Sequence, residues 1–282
     1  MRQLLLILCV SMIISACEKE GSNPISSSEA SEQLNVAYGS DPAQKVDIYL
    51  PANRNDSTVI ALMLHGGSWA NGDKTELDSL IPELQRRLPH FAFANANYRL
   101  VNGTRNRFPA QENDVNDLVT FLQKKANVYG ISGKIVLLGV SAGGHLALLQ
   151  GYKHNSNVQP KAIVSLFGPT DLADLYTNPV NPITPVGLIG ITGYSLEQNP
   201  TIYAESSPIN YVAESSAPTL ILQGAQDSLV PVTQQLRLKA KLEESHIPVE
   251  LVIYQNAGHG FYGTNLSNAL DRISDFLLKY GK

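Results

Sequence analysis

The sequence predicts an α/β fold with a mostly parallel central sheet and helices on both faces, on three observations. Short apolar runs typical of strands alternate with segments of helical periodicity from residue 34 to residue 282. The spacing of this alternation is typical of strand–helix–strand units. Hydrophobic residues make up 43% of the 282 residues, enough for one large core. Because ligands in such sheets bind at the carboxyl ends of the strands, polar residues that follow strands are the candidates for a functional site.

The individual elements follow from local patterns. The run "KVDIYL" is typical of an edge strand and ends at Pro51, whereas "TVIALML" is almost wholly apolar, as a buried strand is. Val115, Leu118 and Leu122 share one face of a helix that ends at Gly130. Strands are predicted over residues 45–50, 58–64, 91–98, 134–140, 161–168, 218–224 and 249–255, and helices over 112–130, 143–152, 232–245 and 266–280.

One segment of the predicted domain, residues 171–217, does not follow this alternation of strands and helices. It contains five prolines and no clear periodicity, so we expect an irregular excursion over the ends of the sheet. Long connections in compact domains are usually functional, which favours a lid or a pocket wall. The alternative is a surface connection with no role.

The first residues differ from the rest of the chain. In residues 1–16, Arg2 precedes a short apolar run, as in a secretory signal peptide, and "ISAC" resembles a bacterial lipobox ending at Cys17. In this interpretation Cys17 is acylated, and residues 17–33, rich in Ser and Glu, form a flexible tether. We therefore expect an exported bacterial lipoprotein, anchored to a membrane in the periplasm or at the cell surface. The alternative is an ordinary secreted protein with a chance cysteine.

Composition excludes several classes of function. The formal net charge is −4, so the chain lacks the basic footprint of a nucleic-acid-binding protein. The predicted domain, residues 34–282, has no apolar stretch of about 20 residues, and therefore no expected transmembrane span. The two cysteines are Cys9 and Cys17, so the predicted mature chain forms no internal disulfide.

The stretch "KIVLLGVSAGGHLAL" places Ser141 between a predicted strand and a predicted helix, within a G-x-S-x-G pattern. Such a serine occupies a sharp, strained turn that exposes its Oγ at the top of the sheet. Side chains two residues before and after the serine would collide in that turn. Gly139 and Gly143 therefore indicate a nucleophile elbow.

A serine nucleophile needs a base, and the base needs an acid to orient it. His259 lies in the glycine-bracketed loop "NAGHGFYG" after the last predicted strand, which favours it as the base. Asp227 follows another strand in "LILQGAQD" and is the favoured acid. The chain order Ser141, Asp227, His259 is the order in which proteins with a nucleophile elbow carry their nucleophile, acid and base. Asp171 also follows a strand and is the rival acid, with a turn cap as its structural alternative. The other five histidines are weaker candidates for the base: His65, His90, His145, His154 and His246.

Acyl transfer also needs donors for the developing oxyanion. "MLHGGSWANGDK" follows the strand 58–64, and its glycines let backbone N–H groups approach a carbonyl oxygen. Gly67 and Ser68 are the candidate donors from this loop, together with the N–H of Ala142 from the elbow. We expect His65 to brace the loop, and Trp69 either to line the pocket or to anchor the loop.

Together, "HGGSW", "GVSAGGHLA", "QGAQDSLVP" and "GHGF" resemble the α/β-hydrolase esterases of the hormone-sensitive-lipase-like group. The resemblance is closest to the bacterial carboxylesterase and feruloyl- or acetyl-xylan-esterase-like branch. "VDIYLP", "FPAQENDVNDL" and "NPTIYAESSPINYV" extend it to about residues 34–282. It implies an α/β-hydrolase fold and a triad of Ser141, Asp227 and His259. One departure is Ser68, which stands where the group often has a third glycine.

These patterns predict a serine carboxylesterase for small-acyl or aryl esters, and the resemblance implies acetyl or feruloyl groups on polysaccharide as candidate substrates. The alternatives are a kynurenine-formamidase-like amidase or a peptidase on the same fold, and a non-enzymatic binding protein. We expect no cofactor and no metal, because the sequence has no H-E-x-x-H motif, no cysteine–histidine cluster and no phosphate-binding glycine loop.

Overall fold

The computed structural model describes residues 25–154 and 158–282. The strands are β1 Ser31–Ala37, β2 Lys45–Leu50, β3 Ile60–Leu64, β4 Ala92–Ala96, β5 Ile135–Val140, β6 Ile163–Leu166, β7 Thr219–Gly224 and β8 Val249–Tyr254. The α-helices are α1 Ile81–Arg87, α2 Ala110–Tyr129, α3 Ala142–Tyr152, α4 Leu172–Thr177, α5 Thr184–Thr192, α6 Pro200–Glu205, α7 Val232–Glu244 and α8 Gly263–Tyr280, and 3₁₀ helices cover Lys74–Leu80 and Pro208–Tyr211.

The strands form one sheet in the order β1-β2-β4-β3-β5-β6-β7-β8. The six strands from β4 to β8 in this order are parallel, and β2 is antiparallel to both β1 and β4. The predicted α/β class with a mostly parallel sheet is therefore confirmed. The parallel strands all end at one edge of the sheet, where the loops after them meet.

Apolar cores cover both faces of the sheet. Along β3, Ile60, Leu62 and Leu64 belong to the core that packs against α2 and α3, whereas Ala61 and Met63 belong to the core that packs against α1 and α8. Side chains alternate between the faces of a strand, so a strand buried on both faces is apolar throughout. This is why β3 and β5 read as continuous apolar runs in the sequence.

The predicted tether boundary at residue 33 is wrong. Strand β1 begins at Ser31 and pairs antiparallel with β2 as the edge of the sheet. This pairing uses backbone groups and needs no apolar side chains, so the polar composition of the segment concealed the strand. The Arg54 guanidinium also donates to the carbonyls of Ser26 (2.5 Å) and Glu29 (2.6 Å), which holds residues 25–30 against the domain. The predicted signal peptide and Cys17 lie outside the described residues.

The predicted irregular excursion over residues 171–217 is also corrected. It contains α4, α5, α6 and the 3₁₀ helix Pro208–Tyr211. Pro185, Pro200 and Pro208 occupy first-turn positions of helices, where a missing N–H has no intrahelical partner to lose. Helices this short leave no periodic pattern to detect. Within the described residues, no helix is long and apolar enough to cross a bilayer.

Candidate active site

Ser141 lies in the tight turn between β5 and α3, with φ 54° and ψ −117°. A Cβ atom added to Gly139 would lie 2.1 Å from the carbonyl oxygen of Gly143, and one added to Gly143 would lie 2.1 Å from that of Leu64. Any side chain at either glycine would therefore displace backbone, which confirms the steric reason predicted for the two glycines. The Ser141 side chain lies at the carboxyl edge of the sheet.

The structure brings Ser141, His259 and Asp227 together in one hydrogen-bonded series. Ser141 Oγ lies 2.8 Å from His259 Nε2, and His259 Nδ1 lies 2.8 Å from Asp227 Oδ2. His259 belongs to the loop after β8, and Asp227 to the loop after β7. With a proton on Nδ1, the imidazole presents its Nε2 lone pair to the serine hydroxyl.

The Asp227 carboxylate is buried and fully engaged by donors. Its Oδ1 accepts from the backbone N–H groups of Leu229 (2.8 Å) and Val230 (2.9 Å). Burial alone would raise the pKa of Asp227, but the hydrogen bonds from His259 and from these two N–H groups outweigh it and lower the pKa. Asp227 is therefore a stable anion across the neutral range.

Gln223, on β7, is a further partner of Asp227 that the sequence reasoning missed. Its side chain is completely buried, and its amide nitrogen lies 3.0 Å from Asp227 Oδ2 and 2.9 Å from the carbonyl oxygen of Val230. Oδ2 is the same oxygen that accepts from His259. The available signal was a polar residue in a strand that is otherwise almost wholly apolar.

Asp171, the alternative candidate for the acid, contacts α4 and Arg237 instead. Its side chain accepts from the backbone N–H of Asp174 at the start of α4, and its Oδ2 lies 2.8 Å from Arg237 Nη2. The carboxylate therefore caps a helix and pairs with a cation. This is the structural alternative that the sequence left open for Asp171.

The loop after β3 carries the two other predicted donors. Gly67, Ser68 and Trp69 have φ values of 101°, 52° and 59°, so three consecutive residues adopt left-handed backbone. A Cβ on Gly67 would lie 2.0 Å from the carbonyl oxygen of Asn71, so only glycine fits there. Within the described part of the chain, the N–H groups of Gly67, Ser68 and Ala142 have no protein acceptor. All three are therefore candidate donors to an oxyanion.

Two buried histidines hold this loop. The His65 ring stacks on Tyr98 with centroids 4.4 Å apart, and burial lowers its pKa. The Trp69 indole donates to Nδ1 of His145 (3.2 Å), whose Nε2 lies 2.7 Å from the carbonyl oxygen of Ser206. Burial lowers the pKa of His145 to about 4, so it is neutral with its proton on Nε2. Trp69 thus anchors the loop, and it also lines a pocket beside the serine.

Two pockets meet at Ser141 and His259. The narrow pocket has a volume of about 220 Å³ and is lined by Trp69 and by apolar residues of α4 and α5, including Leu175 and Leu188. The wide pocket has a volume of about 570 Å³ and lies between the 3₁₀ helix Lys74–Leu80 and the loop that carries His259. A substrate bound across the serine can therefore extend in two directions.

The remaining predicted candidates lie elsewhere. His154 bonds to the buried carboxylate of Glu112, and His90 lines a separate cavity beside Arg54. His246 lies in the turn between α7 and β8, with φ 57°. In residues 25–154 and 158–282, no group of three or more His, Cys, Asp or Glu side chains is arranged to hold a metal ion.

Several curated proteins are similar in sequence to this chain. Esterase LipC of Mycobacterium tuberculosis is 24% identical over 243 residues, which cover 80% of this chain and 59% of LipC. Isoprenylcysteine alpha-carbonyl methylesterase ICME of Arabidopsis thaliana is 23% identical over 240 residues, covering 79% of this chain and 55% of that protein. The chain thus spans little more than half the length of these curated relatives.

Solved structures share the fold over almost the whole chain. A truncated form of a carbohydrate esterase from gut microbiota superposes with a TM-score of 0.75 at 22% identity, covering 90% of this chain and 99% of that one. An esterase from the planctomycete Thermogutta terrifontis, Est2, gives a TM-score of 0.70 at 20% identity, covering 89% and 94%. At these identities the likeness shows the fold alone.

The sheet order, the serine turn and these solved structures define the class of the protein by its fold, which is that of the α/β-hydrolases. A model of the family described as BD-FAE matches residues 46–242, which is more than half of the chain. The chain therefore belongs to the BD-FAE family.

Proposed function

We propose that this protein is a serine carboxylesterase that hydrolyses small-acyl or aryl esters through Ser141, His259 and Asp227. The observation that carries the proposal is the hydrogen-bonded series in which both imidazole nitrogens lie 2.8 Å from their partners. Several of the relatives are named as esterases, which supports the same activity.

In the acylation step, Ser141 Oγ attacks the ester carbonyl carbon while His259 Nε2 takes the hydroxyl proton. Asp227 keeps the proton of the neutral imidazole on Nδ1 and stabilises the imidazolium that forms. The carbonyl oxygen becomes an oxyanion that accepts from the N–H groups of Gly67, Ser68 and Ala142. The imidazolium then returns its proton to the alcohol oxygen, the C–O bond breaks, and the acyl group remains on Ser141.

Deacylation repeats the relay with water. His259 takes a proton from the water, whose oxygen attacks the acyl carbon, and the same N–H groups stabilise the second oxyanion. Collapse returns the proton to Ser141 Oγ and releases the carboxylic acid. The free serine and the neutral imidazole are restored, so these side chains need no co-reactant other than water.

Acetyl or feruloyl esters of polysaccharide are the substrates we favour. One structural neighbour is a carbohydrate esterase from gut microbiota, and another is a bifunctional GH43-CE protein of Bacteroides eggerthii. The narrow pocket is predominantly apolar and, at about 220 Å³, suits a short acyl or an aryl group.

Amide hydrolysis is the second candidate activity. Acylamino-acid-releasing enzyme 1 of rice is 29% identical over 157 residues, which cover 52% of this chain and 20% of that protein. Turnover of N-acetylated amino-acid amides and of N-formylkynurenine, compared with turnover of p-nitrophenyl acetate, separates the two. If kcat/KM for either of these amide substrates exceeds kcat/KM for p-nitrophenyl acetate, an amidase assignment would replace the esterase assignment.

Ser141→Ala tests the mechanism directly. Removing the nucleophile should lower kcat for p-nitrophenyl acetate by roughly six orders of magnitude, with an unchanged melting temperature. The matched control is Ser215→Ala, at an exposed serine in a turn before β7. Turnover by Ser141→Ala close to that of the Ser215→Ala control would overturn the assignment.

We also propose that the protein is exported and anchored through a lipid on Cys17. The sequence around "ISAC" supports this, since the apolar run before it is too short to span a bilayer. Cells grown with radiolabelled palmitate should incorporate label into the wild type and not into Cys17→Ser, which should leave the membrane fraction. Equal labelling of both proteins, or of neither, would contradict the anchor.

A further inference from the structure

Strand β8 forms one edge of the sheet and, among the described residues, pairs with β7 alone. The carbonyl oxygens of Pro248 and Tyr254 accept hydrogen bonds from N–H groups at the two ends of β7. Because bonding alternates along a strand, the even-numbered residues of β8 bond to β7. The backbone N–H and C=O groups of the odd-numbered residues therefore point away from the sheet, and these residues are Val249, Leu251 and Ile253.

The outward row of β8 lacks the features by which proteins usually prevent an edge strand from pairing with another chain, namely charged side chains, prolines and bulges. Its three residues are apolar, and the register with β7 is unbroken over the 6 residues of the strand. At the opposite edge, β1 contains Glu32 and an irregular register between Gln33 and Val36. Strand β8 is therefore the edge that offers a regular row of backbone donors and acceptors.

This row is complementary to itself. When two copies of β8 pair antiparallel about a two-fold axis, opposed residues lie on the same face, so odd-numbered residues oppose odd-numbered ones. Centring the pair on Leu251 opposes it to Leu251 of the partner subunit, and opposes Val249 to Ile253 of the partner subunit. Each of these pairs exchanges both backbone hydrogen bonds. Glu250 then opposes Val252 of the partner subunit, so no like charges meet.

We propose that β8 is the interface of a homodimer, in which two copies pair their β8 strands antiparallel, centred on Leu251, and join two sheets into one. The parallel strands of the two copies then run in opposite directions, so the carboxyl edges of the two sheets lie at opposite ends of the dimer. Both active sites remain open there. This interface does not depend on the proposed esterase function, because it includes neither Ser141 nor His259.

Charge substitutions at the axis test the interface and its register. Sedimentation of the purified wild type over a series of concentrations should give a dimer dissociation constant. Leu251→Lys and Leu251→Glu should each raise this constant at least about tenfold, because two like charges then lie directly opposite each other. An equimolar mixture of the two variants should regain a constant close to that of the wild type, since opposite charges then face each other. Recovery on mixing also shows that both variants fold.

The matched control is the same pair of substitutions at Leu34, which is 57% exposed on β1 at the other edge of the sheet. Leu34→Lys and Leu34→Glu should keep the wild-type dissociation constant. A wild type that sediments as one chain at every concentration would overturn the interface. A dimer that the Leu251 variants leave unchanged, or variants that fail to pair on mixing, would overturn it as well.

Hydrogen exchange tests the pairing without any substitution. In the dimer the amides of Val249, Leu251 and Ile253 should be protected, and dilution below the dissociation constant should speed their exchange at least about tenfold. The amides of Glu250 and Val252 bond to β7 in both states, so their exchange should change little. Exchange at the three outward amides that does not depend on protein concentration would contradict the interface.

Discussion

Gln223 shows how a single buried side chain can set the properties of the site. Its amide donates to Asp227 Oδ2 and to the carbonyl of Val230, so it links the strand to the loop that carries the acid. Because Oδ2 also accepts from His259, the two donors share one oxygen. In the proposed mechanism Gln223 therefore acts on His259 through Asp227, as a positioning residue.

Gln223→Leu removes this donor while keeping a side chain of similar size. The carboxylate that orients His259 is then held by one donor fewer. The kcat for p-nitrophenyl acetate should therefore fall about tenfold with little change in KM.

The control for this substitution is Gln235→Leu. Gln235 is equally buried, but its amide donates to the carbonyl of Gly168 and not to the acid. The control should keep the wild-type kcat. An unchanged kcat in Gln223→Leu, or an equal fall in both variants, would show that Gln223 does not act through Asp227.

At the scale of secondary structure, the sequence predicted best what local patterns determine. The buried strands β3 and β7 were predictable because burial on both faces favours nearly unbroken apolar runs, and the positions of Asp227 and His259 followed from the ends of β7 and β8. Strand β1 was missed because its pairing to β2 is made by the backbone. Gln223 was missed because its role depends on how the loop after β7 folds back.

The same reasoning explains why the helices within residues 171–217 were not predicted. Helices α4 and α6 have six residues each, too few for an amphipathic repeat to appear. Their positions depend on packing with the rest of the domain. The expectation of a pocket wall agrees with the lining of the narrow pocket by Leu175 of α4 and Leu188 of α5.

Because α5 lines the narrow pocket, a larger residue on this helix should change the acyl preference. Gly187 lines the narrow pocket, and a Cβ added there meets no atom within 4 Å, so Gly187→Leu can extend into the cavity without a backbone clash. The kcat/KM ratio of p-nitrophenyl butyrate to p-nitrophenyl acetate should fall roughly tenfold. Gly190→Leu is the matched control, since Gly190 is on α5, has equal space and does not line the pocket. Equal ratios in the two variants would mean that α5 does not bound the acyl site.

At the scale of the whole molecule, His145 connects three parts of the fold. It lies on α3 behind the elbow, accepts from Trp69 of the loop after β3, and contacts the carbonyl of Ser206 in the segment 171–217. Burial lowers its pKa from 6.5 to about 4. Between these values the unfolded chain binds a proton that the folded protein does not, so this contribution to stability is present above pH 6.5 and is lost as the pH falls toward 4.

The wild type should therefore lose roughly 3 kcal/mol of unfolding free energy from this group between pH 7 and pH 4. Urea unfolding at several pH values measures how steeply the unfolding free energy changes with pH. His145→Asn should show a shallower slope over this window, whereas His90→Asn, at an exposed histidine, should keep the wild-type slope. Parallel curves for the wild type and His145→Asn would contradict the buried neutral histidine.

The central claim is that Ser141 is the nucleophile of a relay through His259 and Asp227. The most direct measurement is the mass of tryptic peptides after reaction with a fluorophosphonate, followed together with the loss of p-nitrophenyl acetate hydrolysis. We predict one adduct, on the peptide containing Ser141, formed in proportion to the activity lost and absent when His259→Ala is treated in the same way. An adduct on another residue, or full activity with Ser141 modified, would contradict the account.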